Sequence, residues 1–134
     1  MDGEVTGAID RGLVALVGTT HGDTEAIAQG LARRVAGYRL FPDDAGRSNR
    51  SVLDVAGAVL VVPQFTLYAN TRKGTRPSFT RAQDPALAPA VIAAFVQGLV
   101  DAGLPVEQGV FGADMAVELV NDGPYTVMLE KEPA

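Results

Sequence analysis

Val59-Leu60-Val61-Val62-Pro63-Gln64-Phe65-Thr66-Leu67-Tyr68 runs into Ala69-Asn70-Thr71-Arg72-Lys73-Gly74-Thr75-Arg76-Pro77-Ser78-Phe79. The apolar, largely β-branched first part has the length and composition of a strand buried on both faces. It hands over to a polar Gln-Phe-Thr step, and the chain leaves through a loop carrying Arg72, Lys73 and Arg76. A buried strand thus delivers polar groups to its own end beside local positive charge. Such an arrangement suits a small reacting group held next to a phosphate chain.

Working outward, Gly12-Leu13-Val14-Ala15-Leu16-Val17-Gly18 is a second apolar run of strand length, closed by His21-Gly22-Asp23. Asp23 is an expected N-cap for a helix in which Ile27, Leu31 and Val35 recur at helical spacing until Gly37. Residues 38–41 read as a short strand and 42–46 as a turn; before them, Asp2-Gly3 is a hairpin-type pair and 5–9 a short strand. Downstream, Asp84 is an expected cap and Pro85 a first helical residue. Leu87, Val91, Phe95 and Leu99 then share one face before Gly103 and Pro105. Residues 106–110, 115–120 and 125–129 read as further strands, punctuated by Gly109, Gly112 and Asn121-Asp122-Gly123-Pro124. Strands outnumber helices, so the expected architecture is α+β: a single domain over residues 1–134, with a mostly antiparallel, barrel-like sheet core and two main helices.

At 134 residues the chain can bury roughly two thirds of its unfolded surface without staples. It has no cysteine and a single histidine, which excludes disulfides, thiolate metal sites and a cysteine nucleophile and makes a zinc site unexpected. No metal and no cofactor are expected. Net charge is -5, with a pI near 4.7, so the protein as a whole repels nucleic acid and any RNA contact must be local. Residues 70–81 supply that locality, with Arg72, Lys73, Arg76 and Arg81 and no acidic residue. Judged on charge alone, they are as well explained by a solvated loop. No apolar run approaches the ~20 residues of a membrane span, and Met1-Asp2-Gly3-Glu4 lacks the features of a signal peptide, so a cytoplasmic protein is expected.

Thr66 is the hydroxyl at the end of the central run and Gln64 its nearest amide, but no base stands nearby in sequence to activate it. A satisfied strand threonine is the commoner case. Gly123-Pro124 admits a cis bond and close backbone approach to a ligand, while its spacing is equally that of an ordinary turn.

Taken together, several segments resemble the D-aminoacyl-tRNA deacylase family. They are Gln64-Phe65-Thr66-Leu67, Thr71-Arg72-Lys73-Gly74 with Arg76-Pro77-Ser78-Phe79, Val110-Phe111-Gly112-Ala113-Asp114-Met115, and Asn121-Asp122-Gly123-Pro124-Tyr125-Thr126. His21-Gly22-Asp23-Thr24 and Asn49-Arg50-Ser51-Val52-Leu53-Asp54 match as well, so the likeness spans nearly the whole chain in the family's order.

The resemblance implies hydrolysis of the ester of D-aminoacyl-tRNA, and of glycyl-tRNA, as proofreading in translation. It implies a homodimer in which Gly123 and Pro124 of one subunit enter the other's active site as a main-chain wall against L side chains. Gln64, Phe65 and Thr66 would line the catalytic pocket, and Phe111, Gly112, Ala113 and Met115 would enclose the terminal adenosine, with Asn121 in the substrate-binding loop. Arg72, Lys73 and Arg76 would meet acceptor-stem phosphates. The 2'-hydroxyl of the terminal ribose would assist the water, in keeping with a chain that offers no catalytic triad.

Two positions depart from the main bacterial pattern. Pro63 stands where the family has Ser, and Tyr125 where Val is usual; both resemble a sister group of animals that accepts L-alanyl-tRNA. Family members also carry a strand with an Arg upstream of their Asp-Gly turn, and this chain begins at Asp2-Gly3. A deacylase of relaxed chirality, and a noncatalytic dimeric RNA- or protein-binding module, stay open as alternatives.

Overall fold

The computed structural model describes residues 5–112, 115–122 and 125–131. In chain order its elements are β1 (Gly12–Val17), α1 (Glu25–Gly37), β2 (Phe41–Pro42), β3 (Ser48–Arg50), β4 (Ala58–Pro63), a 3-10 turn (Phe65–Tyr68), α2 (Ala88–Asp101) and β5 (Val106–Gln108). The fold is α+β with two helices, and the two strands read as buried from their apolar runs, β1 and β4, pair with each other.

Their direction corrects the expectation of a mostly antiparallel sheet. β1, β4 and β5 form one sheet in the order β1-β4-β5, and both pairings are parallel. The only antiparallel pair of named strands among the described residues is the small β2–β3 hairpin. The reason lies in the connections: α1 lies between β1 and β4, and α2 between β4 and β5. A helical crossover returns the chain to the same end of a sheet, which makes the next strand parallel. The strands form an open row, and no closed barrel exists among the described residues.

Three expected strands do not form. Residues 5–9 are irregular, although Gly7 lies so close to β5 that a Cβ there would come within 2.7 Å of the Gln108 carbonyl oxygen. Residues 115–120 and 125–129 have strand-like composition but join no ladder among the described residues, and Leu119, Val120, Tyr125 and Met128 stay exposed. Alternation makes a strand only when a partner edge accepts its hydrogen bonds.

The helices pack on each other and on the sheet. Val59, Val61, Phe95 and Leu99 are almost wholly buried in one continuous cluster with Ala28, Ala32 and Ala36. On α1 the buried stripe is therefore alanine, with Leu31 and Val35 at its flank. Small residues let the helices approach: a Cβ on Gly98 of α2 would lie 2.7 Å from the Ala32 Cβ. The N-cap of α1 is Thr24, whose hydroxyl accepts the Ile27 N–H, while Asp23 accepts from the Thr20 N–H instead. Asp84 and Pro85 begin a turn that precedes α2, the helix proper starting at Ala88, and Leu87 is exposed.

Candidate active site

Because β1, β4 and β5 run parallel, their C-terminal ends lie on one edge of the sheet, the edge at which open parallel sheets bind ligands. Residue 18 follows β1, residue 64 follows β4 and residue 109 follows β5. The segments singled out in the sequence therefore start from neighbouring strand ends.

β4 ends at Pro63, opposite Val17, and the next N–H, that of Gln64, donates to the Val17 carbonyl at 2.7 Å. The chain then curls into the 3-10 turn directly beside residue 18. A Cβ on Gly18 would stand 2.9 Å from the Gln64 carbonyl oxygen, 3.1 Å from the Leu67 Cβ and 3.2 Å from the Tyr68 ring. Only glycine fits there. Being first in the turn, Phe65 and Thr66 present N–H groups that have no acceptor within it. The Gln64 side-chain amide donates to the Thr66 hydroxyl oxygen. With one lone pair so occupied, the Thr66 O–H proton is directed elsewhere and the group serves as a donor. No hydrogen-bonded base addresses Thr66 among the described residues, so the geometry favours an orienting hydroxyl over a nucleophile.

The cationic loop grows from the same turn. Asn70 and Ser78 exchange N–H···O bonds of 2.7 and 2.9 Å that close its base, the Asn70 side chain accepts the Arg72 N–H at 3.1 Å, and Gly74 turns the tip with φ +67°. Arg72, Lys73 and Arg76 are exposed, and the only ion pair among the described residues is Arg50–Asp44, far along the chain. Their charge is free to meet a phosphate. Phe79, just past the loop, meets Phe65 edge to face with ring centroids 5.0 Å apart, and the Arg81 guanidinium lies 5.6 Å above the Tyr68 ring.

After β5, the Gly109 N–H donates to the Val61 carbonyl at 2.8 Å. A Cβ on Gly109 would fall 2.8 Å from the Met115 sulfur and 3.9 Å from the Pro63 Cδ, so Met115 covers Gly109 beside the end of β4. Phe111 is partly exposed and Gly112 adopts φ +73°. The Asn121 amide donates to the Thr126 hydroxyl at 2.8 Å, and the Ser48 hydroxyl reaches across from β3 to the Tyr125 hydroxyl at 2.6 Å. Among the described residues no hydrogen bond joins Asn121 or Tyr125 to Gln64 or Thr66. Ala113, Gly123 and Pro124 lie outside the described residues.

The structure thus brings Gln64, Phe65, Thr66, Met115 and the loop of Arg72, Lys73 and Arg76 to one region. It also adds Thr19, Thr20, Thr80 and Gln83, which the sequence alone leaves unnoticed, and a partner for His21. Segment 79–83 is fastened to the turn after β1: the His21 ring nitrogen Nε2 contacts the Thr80 carbonyl at 2.7 Å, and the Thr20 hydroxyl donates to the Arg81 carbonyl. Gln83, 93% buried, donates through its main chain to the Thr19 carbonyl at 2.9 Å and through its side chain to the Asp23 carbonyl at 3.1 Å. These partners are about sixty residues apart in sequence, a separation that local pattern cannot read.

Two carboxylates near the β2–β3 hairpin titrate below their usual range. The Arg47 N–H, chief among several donors, holds Asp43 low, and the Ser51 N–H and hydroxyl hold Asp54 low. Both serve turns. Among the described residues no three His, Cys, Asp or Glu side chains gather as metal ligands, and no helix is long and apolar enough to cross a membrane.

The family model of D-Tyr-tRNA(Tyr) deacylase matches residues 1–130. The chain belongs to that family. Its similarity to members named D-aminoacyl-tRNA deacylase is close: 59% identity to the protein of Halorhodospira halophila, over 98% of this chain and 86% of that one. Identity to the Opitutus terrae protein is 54%, over 97% and 87%. Among solved structures, a c-Myc DNA Unwinding Element Binding Protein superposes with a TM-score of 0.83 at 35% identity, covering 94% of this chain and 85% of that one. A probable eukaryotic D-amino acid tRNA deacylase superposes with a TM-score of 0.62 at 14% identity, covering 76% and 75%; that likeness concerns the fold.

Proposed function

We propose that this member of the deacylase family hydrolyses D-aminoacyl-tRNA, and glycyl-tRNA, to free amino acid and tRNA in the cytoplasm. The observation that carries the reading is the family match over residues 1–130, which includes each segment meeting at the strand-end edge. In the step itself a water adds to the ester carbonyl carbon, the bond to the ribose oxygen breaks, and a proton passes to that oxygen as it leaves. The Thr66 hydroxyl and the N–H groups of Phe65 and Thr66 stand ready for the oxyanion. The 2'-hydroxyl of the terminal ribose assists the water, which suits a site in which no base addresses Thr66.

Arg72, Lys73 and Arg76 take the acceptor-stem phosphates, and Phe111, Gly112, Ala113 and Met115 enclose the terminal adenosine. Gly123 and Pro124, with Asn121 in the same loop, come from a second copy and form the wall that sorts handedness. Exposed apolar residues at 115–120 and 125–129 support such pairing, which would add these segments to a barrel-like sheet.

Pro63 favours a second reading, activity on L-alanyl-tRNA. It lacks an N–H and stands in the pocket wall next to Gly109 and Met115. One experiment addresses both. The purified protein is incubated in parallel with D-Tyr-tRNA, Gly-tRNA and L-Ala-tRNA, and loss of the acyl group is followed. Loss from D-Tyr-tRNA with L-Ala-tRNA spared supports the first reading, loss from L-Ala-tRNA alone replaces it with the second, and no loss from any rejects both.

A further inference from the structure

We infer that His21 is a positioning residue for the RNA-binding loop, holding the far foot of the Arg72–Lys73–Arg76 loop on the turn after β1. The inference rests on the deacylase reading and adds a residue to it. One foot of the loop is covalently fixed: it springs from the 3-10 turn that carries Thr66, and Asn70 and Ser78 close its base. The other foot, segment 79–83, makes one turn, closed by the Ala82 N–H on the Phe79 carbonyl at 3.1 Å, and is held by the 19–23 turn through a series of bonds. Thr80 is held by His21, Arg81 by Thr20, and Gln83 by Thr19 and Asp23.

His21 is the outermost of these holds and the only one made by an exposed ring side chain. Because the Thr80 carbonyl can only accept, the Nε2 of His21 carries the hydrogen, in the neutral ring as in the charged one. Loss of this contact leaves Thr80, among the described residues, only the 3.3 Å contact of its hydroxyl with that of Ser78, and the three cations lose a fixed aim at the phosphates. Among the described residues no hydrogen bond joins His21 to Gln64, Phe65 or Thr66, and the Phe65–Phe79 ring contact still ties the loop's end to the turn. Weaker substrate binding with unchanged chemistry follows.

The test compares wild type, His21→Gln and His21→Asn in deacylation of D-Tyr-tRNA and in equilibrium binding of uncharged tRNA. Gln places its amide nitrogen near the position of Nε2, and Asn falls short of it. A hydrogen bond of ordinary worth corresponds to about a 3- to 10-fold change. His21→Asn is expected to raise KM and the Kd for uncharged tRNA by about that factor with kcat within about twofold, and His21→Gln to recover most of the loss. Equal KM and Kd for all three proteins, or a fall in kcat with KM constant, overturns the inference. So does an equal loss in both variants, which would mark the ring itself as the RNA contact. A wild type without deacylase activity overturns the underlying reading instead, and the Kd arm still judges the role of His21.

Discussion

The Phe65 ring meets the Phe79 ring edge to face, centroids 5.0 Å apart and planes inclined at 66°, so the turn that carries Thr66 and the end of the cationic loop share one contact. Both rings are about half exposed, at 53% and 41%. Their pairing contributes less to stability than a core contact does and more to relative placement. An aromatic pair of this kind is worth about 0.5–1.5 kcal/mol beyond buried area. Phe79→Leu should therefore lower kcat/KM for aminoacyl-tRNA by roughly 2- to 10-fold while the melting temperature moves little. A variant as active as wild type would show that loop and turn are placed independently.

The Thr66 hydroxyl accepts from the Gln64 side-chain amide, and under the proposed function its own O–H is the donor to the oxyanion. Thr66→Ala should reduce kcat about tenfold and leave clear residual activity, because the main-chain donors of the turn persist. Pro124→Ala should cost more, since the proposed main-chain wall relies on the φ that proline fixes and alanine releases. Single-turnover kinetics on one D-aminoacyl-tRNA rank the two; a Pro124 variant with wild-type kinetics contradicts the proposed wall.

Arg72, Lys73 and Arg76 carry charge without a carboxylate partner among the described residues. Each change to Ala should weaken binding of all tRNAs alike and reduce the slope of log K against log salt by about 0.7–0.9. A salt slope identical to that of wild type would remove the residue concerned from the phosphate contacts.

Gly98 allows α2 to sit on α1, with a Cβ there only 2.7 Å from that of Ala32 and 3.3 Å from the Gln29 Cα. Gly98→Ala should destabilise by about 1–3 kcal/mol through overpacking, despite the better helix propensity of alanine. Denaturant unfolding measures it, and a stabilised variant would mean that the helix pair can open at no cost.

Asp54 accepts the Ser51 N–H at 2.8 Å, and its own N–H donates to the Ser51 hydroxyl at 3.2 Å. The Ser51 N–H, and next the Ser51 hydroxyl, hold its carboxyl below the ordinary value of 3.8. A carboxyl with a lowered folded pKa stabilises the protein above its unfolded pKa and loses that contribution as pH falls through the folded value. Asp54→Asn should thus be less stable than wild type at pH 7, with the gap narrowing below 3.8. Thermal melts across that interval test it; a gap independent of pH would assign the loss to shape alone.

Local chemistry in the sequence determined a good deal. The apolar runs at β1 and β4 marked two buried strands, and glycine and helical spacing gave α1 nearly to its ends. The order of the signature segments pointed to the family whose model matches residues 1–130. Tertiary structure decided the rest. Apolar runs carry no direction, so the parallel course of β1, β4 and β5, and with it the shared edge at Gly18, Gln64 and Gly109, emerged only from the helical crossovers. Strand-like composition at 115–120 found no ladder among the described residues, since pairing needs an edge that only the assembled sheet can offer. The fastening of 79–83 to His21, Thr20 and Thr19 joins residues about sixty positions apart, where hydrogen bonds depend on proximity that folding alone creates.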